Sequence, residues 1–391
     1  MDPVLNPYSP GAGTPPYELA GRDDLRRDLS VTIARIMKNR SAKSLMLVGL
    51  RGVGKTVLLE QMSQDAEKQQ AHIIFIEAPE KRSLPSLIAP KLRLAMLKLS
   101  NLEKAKSQAI TALRAIAGFA KGMKFTFNDI EVGIDYEPET GLADNGDLEA
   151  DLTALFIEVG KAAQVADTAI VLFIDELQYV DSDQFASLIS ALHRCSQLKL
   201  PITLVGAGLP QLRGLAGNSK SYAERLFSYP EVGPLPEQAA IDAIQKPAKS
   251  EGVEFTDEAI KEIISKTQCY AYFIQEWCSH SWNIAAKSPI TKDDVIAATE
   301  LTIATLDESF FRVRFDRLTP KEKGYMLAMA RLGAGPHRSG DIAEKLNKTV
   351  NQVAPIRHGL IEKGMVYAPN HGDTAFTVPL FDEFMLRIMI D

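Results

Sequence analysis

Two short segments of this chain combine residue types that can bind a polyphosphate and a metal ion. The first is G-x-x-x-x-G-K-T, which follows an apolar run short enough to be a buried strand. Glycines let the backbone turn tightly, so that N–H groups converge at the start of the following helix and bind phosphate. We therefore predict a phosphate-binding loop formed by Gly49, Leu50, Arg51, Gly52, Val53, Gly54, Lys55, Thr56 and Val57.

Lys55 and Thr56 supply the polar side chains of this loop. The Lys55 ammonium is expected to reach the β- and γ-phosphate oxygens of a nucleotide, and the Thr56 hydroxyl is expected to be one ligand of Mg²⁺. A glycine-rich turn can match the pattern by accident. The strand before the loop and the helical spacing of Val57, Leu58 and Met62 after it favour the phosphate-binding interpretation.

A pair of carboxylates ends a second strongly apolar segment, AIVLFIDELQ at residues 169–178. A strand this hydrophobic belongs in the centre of a parallel sheet, and open α/β sheets bind ligands at the C-terminal ends of such strands. We predict that Asp175 holds Mg²⁺ and that Glu176 polarises the water molecule that attacks the γ-phosphate of a bound nucleotide. The alternative is an acidic helix start without a catalytic role.

Composition limits the class of protein. The 391 residues suggest two or three domains of ~100–200 residues each. No apolar run approaches the ~18 residues that span a bilayer, and the proline-rich N-terminus lacks a secretory pattern, so we expect a cytoplasmic protein without membrane contact. The three cysteines lack metal-ligand spacing and are expected to be reduced core thiols. A net charge of −6 excludes a broad positive field for non-specific DNA binding.

Alternating strands and helices predict an α/β fold. Strands are predicted within residues 71–79, 169–178 and 201–212, and residues 83–120 are expected to be helical, with Pro85 and Pro90 breaking the first turns. These elements predict a three-layer sandwich with a parallel sheet. Residues 124–141 alternate polar and apolar side chains, which predicts an inserted β-hairpin, either an edge ornament or a partner contact.

The wider pattern resembles the AAA+ P-loop ATPases, particularly those of the origin-recognition, initiator-like and signal-transduction type. The lead-in L-x-G-R-D carries this resemblance ahead of the loop and implies that Tyr17, Leu19 and Arg22 pack on or near the adenine of ATP. A plain N-terminal helix on the sheet is the alternative. The resemblance also implies that Arg225 is an arginine finger for a neighbouring subunit, whereas a surface ion pair with Glu224 is the alternative.

Two departures from the family pattern bear on turnover. The strand after the acidic pair ends in GAG at residues 206–208, so the polar residue that senses the γ-phosphate in AAA+ proteins is missing or displaced, with Thr203 and Gln211 as nearby candidates. The lid sequence TQCYAYFIQEW lacks the arginine of many AAA+ lids. It resembles the T-x-G-Y-P-Y-F-[IL]-Q form of initiator-like and signal-transduction ATPases, with Cys269 and Ala271 replacing Gly and Pro.

The chain divides into four predicted parts. They are an extended arm (1–16), an AAA+ P-loop ATPase core (17–233), a helical lid (234–300) and a winged-helix domain with a terminal helix (301–391). The winged-helix order is a helix after Pro320, helices at 339–346 and 349–363, and two strands around a wing. The apolar terminal helix is expected to dock back onto the body.

The winged helix leaves the partner open between DNA and protein. If it binds DNA, its third helix offers Asn351, Gln352, Arg357 and His358 to the major groove. Residues 337–363 carry five basic and three acidic side chains, a difference of +2, which falls short of a basic footprint.

Together these features predict an enzyme that binds ATP and Mg²⁺ and hydrolyses ATP slowly, and that couples this cycle to homo-oligomeric assembly on DNA or on a protein partner. In this hypothesis Glu176 orients the attacking water, Lys55 and Thr56 hold phosphates and Mg²⁺, and Arg225 comes from a neighbouring subunit. Two alternatives stay open: a signalling-type nucleotide switch whose winged helix contacts a protein, and an ATP-binding scaffold without turnover.

Overall fold

A parallel sheet organises the N-terminal half of the molecule. The computed structural model describes residues 1–11, 13–78, 83–123, 136–333 and 335–389. Within these residues the sheet has five strands in the order β2-β3-β4-β1-β5. They are β1 (Ser44–Val48), β2 (His72–Glu77), β3 (Ile170–Asp175), β4 (Ile202–Gly208) and β5 (Phe227–Ser228). Both β1, which leads into the glycine-rich loop, and β3, which ends in the acidic pair, neighbour β4.

Helices cover both faces of this sheet, as the predicted three-layer sandwich requires. Alternate residues of the central strands enter different hydrophobic clusters, with Met46 and Leu172 on one face and Leu47 and Phe173 on the other. The helices of this half are α1 (Asp23–Met37), α2 (Lys55–Lys68), α3 (Leu84–Ser100), α4 (Lys106–Gly122), α5 (Leu148–Val165), α6 (Ser182–Gln197), α7 (Leu212–Ser219) and α8 (Ala223–Leu226).

One local prediction is wrong. Pro85 lies in the first turn of α3, where its missing N–H is tolerated, but α3 continues through Pro90 instead of breaking there. Ile88, Leu92 and Met96 bury one face of α3 in the core, and this burial outweighs the interrupted hydrogen bond. The predicted hairpin at 124–141 falls largely on residues 124–135, which lie outside the described residues.

The residues of the predicted lid form helices that pack on one another. They are α9 (Glu237–Ser250), α10 (Asp257–Thr267), α11 (Ala271–Ile284) and α12 (Lys292–Thr305). A π-helical segment (Leu306–Phe311) and α13 (Arg312–Phe315) lead to the C-terminal unit. The aromatic rings of Phe273 on α11, Phe311, and Phe381 near the C-terminus belong to one hydrophobic cluster. Lid and C-terminal unit therefore share a continuous core.

The C-terminal unit has the order of helices and strands that the sequence predicted after Pro320, and its assignment as a winged helix stays a prediction. Helix α14 (Pro320–Ala330) is followed by β6 (His337–Arg338), α15 (Ser339–Lys345), α16 (Val350–Glu362), β7 (Val366–Tyr367), β8 (Asp373–Phe376) and α17 (Phe381–Ile388). The strands form an antiparallel sheet in the order β6-β8-β7. Phe381, Phe384 and Met385 bury one face of α17, which packs on α14, so the terminal helix docks as predicted.

The other global expectations concern membranes and cysteines. In the described part of the chain, no helix is long and apolar enough to cross a membrane. Cys195, Cys269 and Cys278 are free thiols, and the first and last of them are buried. Burial raises the pKa of both buried thiols, to about 12 for Cys195, so they remain protonated near neutral pH.

Candidate functional site: a phosphate loop facing an acidic pair

The glycine-rich loop forms a tight turn between β1 and α2. Gly52 and Gly54 have φ values of 80° and 89°, a left-handed conformation that favours glycine, and Gly54 is the N-cap of α2. A Cβ on Gly49 would lie 2.1 Å from the Val232 carbonyl oxygen, so no larger residue fits there. The loop thus ends at the N-terminus of a 14-residue helix, where backbone N–H groups and the helix dipole favour an anion.

Lys55 is folded back onto this loop. Its Nζ donates hydrogen bonds to the carbonyl oxygens of Gly49 (2.9 Å) and Leu50 (2.8 Å), and the side chain is largely buried. Burial lowers the pKa of Lys55 to about 8, and the nearby Glu176 and Asp175 carboxylates offset part of that effect. A phosphate would replace these neutral carbonyl acceptors with a charged one and would favour the protonated amine.

Thr56 and Asp175 meet across the sheet end, as predicted. Thr56 Oγ1 donates to Asp175 Oδ2 at 2.6 Å, and the Glu176 backbone N–H donates to Asp175 Oδ1 at 2.8 Å. Burial raises the pKa of Asp175, while the Thr56 hydrogen bond opposes the rise. A hydroxyl beside one carboxylate fits Mg²⁺, which is usually held by one or two carboxylates together with waters and substrate phosphates.

Both carboxylate oxygens of Glu176 are already engaged. Oε1 accepts from Arg51 Nη1 at 3.3 Å, and Oε2 accepts from Gln178 Nε2. The Arg51 guanidinium also donates to the Tyr179 hydroxyl at 2.7 Å. The sequence predicted Arg51 only as part of the loop backbone, so the ion pair is a feature that sequence reasoning missed.

Gln178, in the turn that follows β3, lies beside the C-terminal end of β4. The residues that end β4, at 206–208, offer no polar side chain at this position. Gln178 Oε1 accepts from the Leu209 backbone N–H at 3.0 Å. The earlier candidate Thr203 is wrong for this place, because its side chain is buried and lies 3.1 Å from the Ser44 hydroxyl within the sheet. The signal that could have identified Gln178 is the pair of glycines that ends β4, since they leave space for a neighbouring side chain.

The lead-in before the loop supports it from outside. Arg22 is buried and its Nη2 donates to the carbonyl oxygens of Val53 (3.3 Å) and Gly233 (2.5 Å). Burial lowers the pKa of Arg22. Leu19 packs against the hydrophobic cluster below the loop, whereas Tyr17 is 62% exposed. Arg22 therefore holds loop backbone, and the contacts of Tyr17 and Leu19 with adenine stay a prediction.

The lid and the C-terminal unit both bind the phosphate loop through its backbone. The Tyr272 N–H at the start of α11 donates to the Gly52 carbonyl oxygen at 3.0 Å. The Arg51 N–H donates to the Thr377 carbonyl oxygen at 3.0 Å, just after β8. Thr377 is fully buried, and its hydroxyl donates to the Gly364 carbonyl oxygen at 2.6 Å. Three parts of the chain therefore meet at the loop.

A second arginine lies near this junction. The Arg314 guanidinium carbon is 4.2 Å from the centre of the Phe310 ring, and that ring stacks on Tyr272 at 4.7 Å. Burial and, to a smaller extent, the charge of Arg51 together lower the pKa of Arg314 to about 10. The lid helix lacks an arginine at its start, as the sequence showed, but α13 supplies one close to the loop.

Arg225 is exposed on the short helix α8. Among the described residues, no hydrogen bond or salt bridge joins its side chain to another group, and the alternative ion pair with Glu224 is not formed. An exposed guanidinium without a partner in the part of the chain that the structure describes is compatible with a finger that acts on a neighbouring subunit. That role stays a prediction.

Three of the four side chains offered to DNA make contacts within the C-terminal unit, and one of these contacts joins His358 Nε2 to Glu362 Oε1 at 3.2 Å. Arg357 donates to the Thr374 hydroxyl and to the Asp373 carbonyl oxygen, both at 2.7 Å. Gln352 accepts from the Thr349 N–H at 2.9 Å and caps α16. Asn351 and His358 remain exposed on α16. The wing strand therefore holds the Arg357 guanidinium, and a contact of Arg357 with base edges or phosphates stays a prediction.

Family models match two parts of this chain. Residues 18–205 match the family described as AAA ATPase domain, and residues 308–385 match a Domain of unknown function (DUF8462). The Uncharacterized HTH-type transcriptional regulator MJ0774 of Methanocaldococcus jannaschii is 23% identical over 351 residues, which cover 86% of this chain and 80% of that protein. The solved structure of the Walker-type ATPase PABY2304 of Pyrococcus abyssi is 14% identical, with a TM-score of 0.59 over 98% of this chain and 99% of that one.

Proposed function

We propose that this chain, whose residues 18–205 match the AAA ATPase domain family, is an Mg-ATP-dependent switch that hydrolyses ATP slowly and couples the nucleotide state to its C-terminal unit. The proposal adds two statements to the family match. The protein hydrolyses ATP, and the bound nucleotide changes the contact between the phosphate loop and the C-terminal unit. Both concern side chains that meet at the phosphate loop.

Each site residue has a role that follows from its contacts. Loop N–H groups and Lys55 bind the triphosphate, after Lys55 exchanges its two carbonyl acceptors for phosphate oxygens. Thr56 and Asp175 would hold Mg²⁺, which when bound neutralises charge on the phosphate oxygens. Glu176 orients a water molecule for in-line attack on the γ-phosphate, and Arg225 of another subunit stabilises the charge that develops.

The observation that carries the proposal is the double engagement of Arg51. Its side chain holds the Glu176 carboxylate, and its backbone N–H donates to the Thr377 carbonyl oxygen of the C-terminal unit. While the Arg51 N–H donates to the Thr377 carbonyl oxygen, it cannot donate to a phosphate oxygen, because an N–H group has only one proton to donate. Phosphate binding at Arg51 and docking of the C-terminal unit therefore compete for the same donor, and this competition is the proposed switch.

Nucleotide binding and turnover test the proposal directly. Lys55→Ala is expected to lose binding of a fluorescent ATP analogue, whereas Glu176→Gln is expected to retain binding and stall hydrolysis. Hydrogen–deuterium exchange with ATP, ADP and no nucleotide should show residues 364–378 exchanging faster only when ATP is bound. Turnover that is unchanged in Glu176→Gln, or exchange that does not respond to nucleotide, would contradict the corresponding half of the proposal.

DNA is the second candidate target of this switch. The relative from M. jannaschii carries the name of an HTH-type regulator, and α16 exposes Asn351 and His358 next to Lys348. A duplex would be contacted by these exposed side chains rather than by Arg357. Filter binding at low and high salt, with Asn351→Ala and Lys348→Ala compared, decides the matter. The absence of a salt-sensitive signal at low salt would favour a protein partner.

A further inference from the structure

The C-terminal end of β4 is occupied by a turn that comes from β3. Residues Leu177–Tyr179 form a 3₁₀ turn directly after the acidic pair. Leu177 is almost fully buried, and its Cδ2 would lie 2.8 Å from a Cβ on Gly206. Gln178 Oε1 would lie 2.5 Å from a Cβ on Gly208. Each of the two glycines near the end of β4 therefore leaves space that one side chain of the turn fills, Leu177 at Gly206 and Gln178 at Gly208.

Hydrogen bonds fix the orientation of the Gln178 amide. Its oxygen accepts from the Leu209 N–H at 3.0 Å, and its nitrogen donates to Glu176 Oε2. A side-chain amide nitrogen carries two protons, and only one of them is used by Glu176. Among the described residues, the second N–H makes no hydrogen bond.

We propose that Gln178 is the positioning residue that replaces the polar side chain missing from β4. It holds Glu176 in the orientation needed to activate water, and it offers its remaining N–H to the reacting group. The glycine at position 208 is required because the amide fills the space that a side chain of β4 would otherwise take. The inference rests on the proposed hydrolytic function and names the residue that supports its water-orienting carboxylate.

The test compares ATP turnover, nucleotide affinity and thermal unfolding across a small set of variants. Gln178→Ala is expected to lower kcat about 100-fold, the order of loss that accompanies misplacement of a reacting group. Affinities for ATP and ADP are expected to change less than about threefold, because the loop contacts of the phosphates remain. Gln178→Met, which keeps the length of the side chain without its amide, should behave in the same way. Gln197→Ala, a substitution of an exposed glutamine at the end of α6, is the control and should retain the wild-type kcat.

A sharper experiment moves the side-chain amide from position 178 in the turn to position 208 in β4. Gly208→Asn alone should lower kcat, because its Cβ would collide with the Gln178 amide. The double variant Gly208→Asn with Gln178→Ala should recover at least about tenfold over Gln178→Ala, since the new amide enters the vacated space. A double variant that folds but is no faster than Gln178→Ala would overturn the assignment.

The remaining outcomes separate this inference from the proposed function. Wild-type kcat in both Gln178→Ala and Gln178→Met, with Glu176→Gln stalled, would overturn the role of Gln178 and leave the hydrolytic function intact. Reduced thermal stability with unchanged kcat would assign Gln178 a structural role and also overturn the inference. If the wild-type protein binds ATP no better than Lys55→Ala does, the proposed function itself fails.

Discussion

Arg51 Nη1 lies 3.3 Å from Glu176 Oε1, so the phosphate loop itself restrains the carboxylate that is proposed to orient water. The two side chains are only 19% and 25% exposed, which places this ion pair between a surface pair and a buried one. The Glu176 carboxylate is thus held by the Arg51 guanidinium and by the Gln178 amide.

Arg51→Ala is expected to raise the basal ATPase rate about two- to fivefold, the factor that corresponds to ~0.5–1 kcal/mol for a partly exposed ion pair. Removal of the guanidinium releases Glu176 Oε1 to bind water. Steady-state turnover of the purified protein measures the effect, with Arg51→Ala combined with Glu176→Gln as the inactive control. A lower rate together with weaker ATP binding would instead assign Arg51 to the phosphates.

Lys55 makes ATP binding dependent on pH. Its pKa of about 8 in the free protein lies below the ordinary value, and a bound triphosphate raises the pKa again because it adds negative charge. Binding should therefore take up about half a proton at pH 8, and ATP affinity should fall as the pH rises above about 8. Calorimetry in buffers of different ionisation enthalpy measures this uptake. Equal binding heats in all buffers would show that Lys55 is already fully protonated.

The lowered pKa of Lys55 also makes the free energy of unfolding depend on pH. Between about pH 8 and about pH 10.5 the unfolded chain binds a proton at Lys55 more readily than the folded one, so this residue makes the free energy of unfolding rise with pH in that interval. Lys55→Met should remove this contribution to the pH dependence of the unfolding free energy, while the contributions of other groups remain. Chemical denaturation at several pH values compares the two proteins.

Sequence reasoning found the parts of the site whose chemistry is local and missed those that depend on tertiary placement. The loop pattern fixes Lys55 and Thr56 in sequence, and the parallel sheet then brings Asp175 to Thr56. Gln178 was missed because its place depends on the space beside Gly208 in a neighbouring strand, and the glycines that end β4 were the only sign of that space in the sequence. The contact between Arg51 and Thr377 joins residues 326 positions apart by a backbone hydrogen bond, and no side-chain pattern encodes it.

Gly364 tests the contact between the C-terminal unit and the loop. Its φ is 64°, and a Cβ there would lie 3.2 Å from Arg51 Nη2 and 3.3 Å from the Tyr179 hydroxyl. Gly364→Ala should therefore push the C-terminal unit away from the loop. We expect faster deuterium exchange in residues 49–54 and a higher basal ATPase rate.

Gly372→Ala is the matched control for this substitution. Gly372 has a similar left-handed φ of 82°, but a Cβ there would meet no atom within 4 Å. Both variants should lose ~1 kcal/mol of unfolding free energy through backbone strain, and only Gly364→Ala should change exchange at the loop. Equal exchange in the two variants would mean that the contact does not restrain the loop.

Arg225 should act on the site of a neighbouring subunit. Its side chain is exposed on α8, so Arg225→Ala should leave ATP affinity unchanged and lower turnover about 100-fold or more. Glu224→Gln, which alters the adjacent residue, should retain wild-type turnover. Mixing Arg225→Ala with Lys55→Ala provides the decisive measurement, because one variant keeps an intact phosphate loop and the other keeps an intact arginine. If the arginine acts between subunits, the mixture should hydrolyse ATP faster than either variant alone. A mixture that remains as slow as its components, at concentrations where the wild-type protein oligomerises, would restrict Arg225 to its own chain.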